Sequence, residues 1–319
     1  MCSAELPKQS QSSDGGGPPG GIPDLTKGPP PIVRGEPVEI ADGIFVIPDN
    51  RVELVPNVGI VVGTKAALVI DSGLGPRNGA YVLERAKRLA ARRPLYLTIT
   101  HFHPEHGFGA QAFKGAATIM YNAGQRDELQ RKGPGYLGMF KGMGPAVAAE
   151  LADVVFVEPD RTYAESEAEI DLGGHRAVLR TWGAGHTLSD QTVFVDGRVL
   201  FTGDLLETRM FPILPYVPPH DVDVDGNRWI EILGEFIDLK PEIVVPGHGE
   251  VSDTSLIRDV RTYLEYVRGE AARLRAAGTT ADDTATIIDK DVRARWSTWE
   301  HPEWISFAAR CFYAASTAA

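Results

Sequence analysis

The chain has 319 residues, enough for one large domain or two small ones around a substantial core. A net charge of −11 and a pI near 5.2 argue against a nucleic-acid surface or an anionic membrane as the main partner, leaving a small molecule as the expected one. Two cysteines, Cys2 and Cys311, do not support a disulfide framework, and no run of 18 apolar residues supplies a transmembrane segment.

Residues 1–35 are rich in Gly, Pro, Ser and Gln and bury too little apolar surface to offset their ordering entropy, so a disordered tail is expected there. The N-terminus lacks an apolar signal core, which favours a cytoplasmic location. Cys2 before a polar, Gly/Pro-rich stretch also suits a lipid-anchored protein whose signal has been removed. The remaining domain is expected over 36–319, with a helical extension from about residue 252.

Strand patterns open that domain: Val38 to Ile40, Ile44 to Ile47 after an Ala41-Asp42-Gly43 turn, Val58 to Val62, and Ala66 to Ile70. Tyr81 to Ala91 has helical spacing, and Leu95 to Thr100 is a strand. Strands follow at His175 to Thr181 and Thr192 to Val195, the latter turning through Asp196-Gly197 into Arg198 to Phe201. Trp229, Ile232, Leu233, Phe236 and Ile237 mark an amphipathic helix capped near Asp225. Ile243 to Val245 is a buried strand. A helix capped by Ser252 or Asp253 carries Leu256, Val260, Leu264, Val267, Ala271 and Leu274 and stops at Gly278.

Two tempting motifs fail on context. Gly133-Pro134-Gly135-Tyr136-Leu137-Gly138 follows a charged helical stretch rather than a strand, so it reads as a loop and not as a dinucleotide site. Asp221 to Gly226 begins like a calcium loop, yet Ile232 occupies the position that needs glutamate, and helix capping accounts for it better.

Chemistry concentrates in His101-Phe102-His103-Pro104-Glu105-His106, which holds three of the eight histidines directly after an apolar strand. Imidazole and carboxylate suit zinc, iron(II) or manganese, and no thiolate lies nearby to make a closed structural site. Three further strands end in Gly-containing turns that present ligand-type side chains: Gly185-His186, Gly203-Asp204 and Gly247-His248. Strand ends of a central sheet converge on one rim, so four segments can meet around metal. His101 and His103, two apart, can project toward one ion. Pro104 suits the first turn of a helix that carries Glu105 and His106 toward a neighbouring ion roughly 3.5 to 4 Å away. A metal-bound hydroxide held there would attack a carbonyl-type bond.

The ordered series resembles the metallo-β-lactamase-fold hydrolase superfamily over about residues 38 to 250, nearest to its glyoxalase II-like, bridging-aspartate branch. That resemblance implies an α/β fold, an αββα sandwich of two mixed β-sheets flanked by helices, with a two-metal site between the sheets. His101, His103 and His186 would hold one ion, His106 and His248 the other, with Asp204 bridging. Zinc is the expected metal, as two ions, with iron or manganese allowed.

Glu105 stands where the family has aspartate, and its extra methylene leaves three roles open: ligand, cause of a weak second site, or general base beside the metal-bound water. Asp71 matches an aspartate that orients a ligand histidine, with an Asx turn in Asp71-Ser72-Gly73 as the bland alternative. Glu105, Asp204 and Asp71 are therefore the candidate catalytic residues.

Tyr136, Leu137, Met139, Phe140 and Met143, and the loop with Met210, Phe211, Ile213, Leu214 and Tyr216, are candidates for pocket walls. Trp296, Trp299 and Trp304 are expected to pack the C-terminal helices, and His220 and His301 to lie on the surface. The expected activity is a metal-dependent hydrolase of a thioester, ester, lactone or lactam. The alternatives are a mononuclear iron enzyme resembling the persulfide dioxygenases and a non-catalytic metal-binding module. The absence of a nearby cysteine excludes the thiolate-ligand lactamases, and no basic patch marks a glutathione thioester site.

Overall fold

A computed structural model of the chain describes residues 28–219 and 221–316. Apolar runs too short for helices pair into two mixed sheets. In the first, β1 (Val38–Ala41), β2 (Ile44–Ile47), β3 (Val58–Val62) and β4 (Ala67–Ile70) form an antiparallel meander. Helix α1 (Pro76–Ala90) crosses over to β5 (Leu95–Thr98), which lies parallel to β4 and is followed by parallel β6 (Thr118–Asn122) and β7 (Arg161–Tyr163). Between β5 and β7 lie α2 (Pro104–Gly107), α3 (Ala123–Lys141) and α4 (Pro145–Glu150).

The second sheet contains β8 (Glu167–Asp171), β9 (Arg176–Gly183), β10 (Asp190–Val195), β11 (Val199–Glu207) and β12 (Ile243–His248), in spatial order β12-β11-β10-β9-β8. Its pairs are antiparallel except β11 with β12, which are joined through α5 (Gly226–Leu239). Helices α6 (Thr254–Ala276), α7 (Ala281–Arg295) and α8 (Ile305–Ala315) pack outside it. No helix among the described residues is long and apolar enough to cross a membrane.

Three apolar layers hold this αββα sandwich together. Leu68 and Ile70 of the first sheet meet Leu179, Val193 and Phe201 of the second in the middle layer. Each such buried side chain contributes about 1.5–3 kcal/mol relative to exposure. Val82, Leu83, Ala86 and Ala90 of α1 face the first sheet at helical spacing. Trp229, Ile232, Leu233 and Phe236 of α5 do the same for the second.

The sequence expectations differ from the structure in five places. Strand β11 does not end in a turn at Gly203-Asp204 but runs on to Glu207, with its register against β12 shifting at Gly203, so Asp204 is a strand residue. Helix α1 begins at Pro76 rather than Tyr81, because proline fits the first helical position while the polar first turn carries no apolar period. Residues 133–138 are helical, inside α3, and not a loop. The Asn122/Gln125 capping box starts that helix, and buried Leu129 and Phe140 hold it despite four glycines and Pro134, so tertiary packing overrides propensity. Strands β6, β7 and β8 were not among the expected elements: β7 is only three residues long, whereas β8 reads Glu167-Ala168-Glu169-Ile170-Asp171 in alternation, a signal present in the sequence. Of the expected tail, 1–27 and with it Cys2 lie outside the described residues. Its last part does not stay free: Pro31 and Val33 are buried, with Val33 N–H donating to Asn78 Oδ1 at 2.7 Å and Asn78 Nδ2 to the Pro31 carbonyl at 2.9 Å.

Candidate metal centre

Strand β5 delivers the histidine cluster between the two sheets. Gln191 N–H and the Gln125 side chain both donate to the Thr100 carbonyl, fixing the chain where it leaves the strand. His103 then caps α2, whose turn closes through His106 N–H and Gly107 N–H on the His103 carbonyl. Asp71, just after β4, reaches this segment. Its carboxylate accepts Thr100 N–H at 2.7 Å and lies 2.9 Å from His106 Nδ1. Asp71 therefore turns toward the histidine segment rather than onto its own turn, and it sets His106 Nε2 free to face inward.

The other ligands are held as firmly. Asp190 accepts His186 N–H at 2.7 Å and the Thr187 hydroxyl at 2.6 Å, pinning the turn. His186 Nδ1 lies 2.8 Å from the Ile213 carbonyl, so that nitrogen carries the proton and Nε2 is left as an acceptor. Asp204 projects from β11 into a space that only glycine leaves open: a Cβ on Gly247 would stand 1.9 Å from Asp204 Oδ1. His248 ends β12, and its turn is tied by Asn57 Nδ2 to the Gly249 carbonyl at 2.7 Å and by Gly249 N–H to Asp49.

These residues form two groups that share one carboxylate. His101, His103, His186 and Asp204 make one; Glu105, His106, His248 and Asp204 make the other, with the potential ligand atoms of each within 4.8 Å of one another. Asp204 Oδ2 lies 3.7 Å from His101 Nε2 and 3.6 Å from His186 Nε2. Its Oδ1 lies 3.1 Å from His106 Nε2 and 3.6 Å from His248 Nε2. His103 Nδ1 and His186 Nε2 face each other at 3.0 Å. Ligand atoms around a tetrahedral zinc, with bonds of about 2.0–2.1 Å, sit about 3.3 Å apart, so both groups fit a divalent cation.

Hydrogen bonding points the same way. His101 Nε2, His106 Nε2, Glu105 Oε2 and both Asp204 oxygens are buried without a hydrogen-bond partner. Each such atom costs about 1–3 kcal/mol, a cost that bound divalent cations would offset. Burial, aided by neighbouring imidazoles, holds His101, His103 and His186 below the usual imidazole range, in the neutral form that binds metal. Burial also disfavours ionised Asp204, but His106, His248 and His101 outweigh it and keep its carboxyl well below the usual carboxylate range. Burial lifts the Glu105 carboxyl.

A cleft of about 780 Å³ opens onto this floor. Its walls include Met139, Phe140, Met143, Phe211 and Ile213, as the sequence suggested, whereas Leu137, Leu214 and Tyr216 pack into the apolar layers instead. Trp296 meets Tyr263 edge-on and Trp299 packs on it at a tilt, but Trp304 lines the cleft beside Phe307. His301 is not a free surface residue: it lines the cleft, 3.3 Å from Glu53 and 3.1 Å from Glu303. The C-terminal helices return across the second sheet, which places both residues there. His220 lies outside the described residues.

The charged groups of the wall are paired. Lys132 meets Glu128, Asp221 and Asp223 at 2.9–3.2 Å, and Tyr136 donates to Asp221 at 2.7 Å. Asp225 caps α5, as the helix-capping reading of this acidic run requires, while Asp221 and Asp223 bind across to α3. Arg51 pairs with Glu250 and Glu300.

Several residues that build the site lack a motif. Asp190, Asn57 and Asp49 hold ligand turns through backbone atoms, and nothing in the local sequence of Asp49 or Asn57 signals it. Glu207, three residues beyond Asp204, is 1% exposed, lines the cleft, and has no hydrogen-bond partner for either carboxylate oxygen.

Comparison with known proteins adds to this geometry. Residues 51–248 match the family described as the metallo-beta-lactamase superfamily. The chain is 27% identical over 229 residues to the human acyl-coenzyme A thioesterase MBLAC2, covering 66% of this chain and 79% of that protein. The Gallus gallus counterpart is 29% identical over 230 residues, 66% of this chain and 78% of that protein. Among solved structures, a metallo-beta-lactamase from Pontibacter korlensis superposes with TM-score 0.55 at 18% identity, over 71% of this chain and 98% of that one. The inverting sec-alkylsulfatase Pisa1 from Pseudomonas sp. gives TM-score 0.64 at 13% identity, over 88% of this chain and 50% of that one.

Proposed function

The chain belongs to the metallo-beta-lactamase superfamily, and on that premise we propose that it is a two-zinc hydrolase of thioesters with an apolar acyl group. One observation carries this reading: a single cleft has buried, unpartnered ligand atoms as its floor and apolar side chains as its walls. His101, His103, His186 and Asp204 would hold the first ion. His106, Glu105, His248 and Asp204 would hold the second, and Glu105 is counted as a ligand because its carboxylate falls within the same group. The bridging position of Asp204 is what the reading shares with the glyoxalase II-like branch.

When bound, such ions supply Lewis acidity and a water of lowered pKa, which cleavage of a carbonyl-type bond requires. The chain's own residues orient that chemistry. Asp71 fixes the His106 ring, the Ile213 carbonyl fixes the His186 tautomer, and Asp190 fixes the turn beneath it. Met139, Phe140, Phe211, Trp304 and Phe307 seat the acyl chain and keep water from the floor.

The acyl-coenzyme A thioesterase relatives support the thioester class. The carrier is a separate matter. The cleft cations Arg51, Arg131 and Lys132 are each tied to carboxylates, leaving no unpaired cation among the described lining residues for coenzyme phosphates. We therefore assign the acyl thioester, not the coenzyme, as the recognised element. The test compares butanoyl, decanoyl and hexadecanoyl thioesters of coenzyme A and of neutral N-acetylcysteamine, with chelated and zinc-restored protein. Hydrolysis is expected to rise with chain length, to vanish with chelation, and to favour the neutral carrier or be indifferent to it. Failure of zinc-replete protein to cleave any acyl thioester overturns the reading.

A further inference from the structure

Glu207 occupies the last position of β11, opposite His248 in the strand ladder, with its side chain in the cleft that the metal ligands floor. It is 1% exposed, and neither carboxylate oxygen finds a hydrogen-bond partner; the Ile213 backbone lends it weak support, short of hydrogen-bond geometry. Among the described residues no lysine or arginine is paired with it. A buried carboxylate in that state is costly unless a cation answers it. Burial, with Asp204 and Glu105 nearby, pushes its carboxyl well above the usual range, which marks an environment short of positive charge. Two divalent ions bring four positive charges to a floor whose ligands supply two carboxylates, so a third acidic group on the side of Glu105 and His248 complements them.

Resting on the two-ion reading above, we propose that Glu207, which lies outside the two ligand groups themselves, is an outer residue of the second metal site that accepts a hydrogen bond from that ion's water. The second site then has a carboxylate partner that its sequence motif does not indicate.

The experiment titrates metal-free wild type, Glu207→Gln and Glu207→Asp with zinc against a competing chelator and counts bound ions. Thermal unfolding is followed with and without metal. Wild type is expected to bind two ions. Glu207→Gln should keep the first affinity and lose about 10- to 100-fold in the second, with Glu207→Asp intermediate. The metal-free Glu207→Gln protein should melt no lower than wild type, since the cost of burying an ionisable carboxyl is gone, while its gain in Tm on adding metal shrinks. Two ions bound by Glu207→Gln with wild-type affinities overturn the proposal alone. A wild type that binds fewer than two overturns it together with the two-ion reading. A Glu207→Gln protein that melts lower in the metal-free state, with an unchanged metal-induced gain, also overturns it and makes Glu207 structural.

Discussion

The floor and the walls of the cleft are built on opposite principles. On the floor, imidazoles and carboxylates are buried with inward atoms unpartnered, and each ring or turn is gripped from behind, as Asp71 grips His106 and Asp190 grips the His186 turn. On the walls, apolar side chains of α3, the loop after β11 and the C-terminal region face the space, and the charges among them, such as Lys132 with Asp221 and Asp223, are already satisfied. A site arranged this way takes its chemistry from unmet polar demand and its selectivity from surface that demands nothing polar. The two functions are therefore expected to be separable by mutation.

The largest break comes at the shared carboxylate. Asp204→Asn is expected to lower hydrolysis by several orders of magnitude and to release both ions, since Asp204 faces four histidines from its two oxygens; metal counting with steady-state rates checks this. Asp71→Asn, which leaves every ligand in place, should weaken the second ion about 10- to 100-fold by loosening the His106 ring, read by chelator competition. Glu105→Asp shortens a ligand in surroundings shaped for glutamate, and a several-fold loss confined to second-ion affinity is expected from the same titration.

Wall changes should leave metal content alone. Phe307→Ala removes apolar lining, so KM for a long acyl thioester should rise about tenfold with kcat nearly unchanged and little effect on a short one, a difference of about 1–3 kcal/mol in binding. Metal loss from Phe307→Ala would break the separation between floor and wall. The smallest effect concerns His301, raised above its usual range chiefly by its hydrogen bond to Glu303, with Glu53 assisting and burial opposing. Its contribution to stability is fully present below the ordinary histidine value of about 6.5 and is lost as pH rises through the raised value. The Tm difference between wild type and His301→Gln should accordingly be largest in mild acid and shrink toward alkaline pH, amounting to about 1 kcal/mol or less.

The same contrast governs what could be read from the chain. The ligand series was legible because imidazoles and a carboxylate recur in order beside apolar runs, with glycine before His186, Asp204 and His248, although Asp204 lies inside β11 rather than in a turn at its end. The middle strands of both sheets and helices α5 and α6 were legible from period and caps. Residues 133–138 were not, because propensity weighs against a helix there and only packing around Leu129 and Phe140 decides it. Trp304 and His301 were misplaced because nothing local tells a C-terminal segment that it folds back over a site formed two hundred residues earlier.

By itself the sequence determined the kind of chemistry, since imidazoles and carboxylates can serve a cation whatever their surroundings, and through the resemblance that this ligand series carries it implied the layered fold. The tertiary structure alone decided which groups lost water. Glu207 reads as an ordinary acid after an apolar run until two sheets and the loop at Ile213 enclose it, and only then does its carboxylate, 1% exposed and unpartnered, acquire a reason to meet metal. Desolvation is a property of the assembled fold, and it turns an acidic side chain into a site residue.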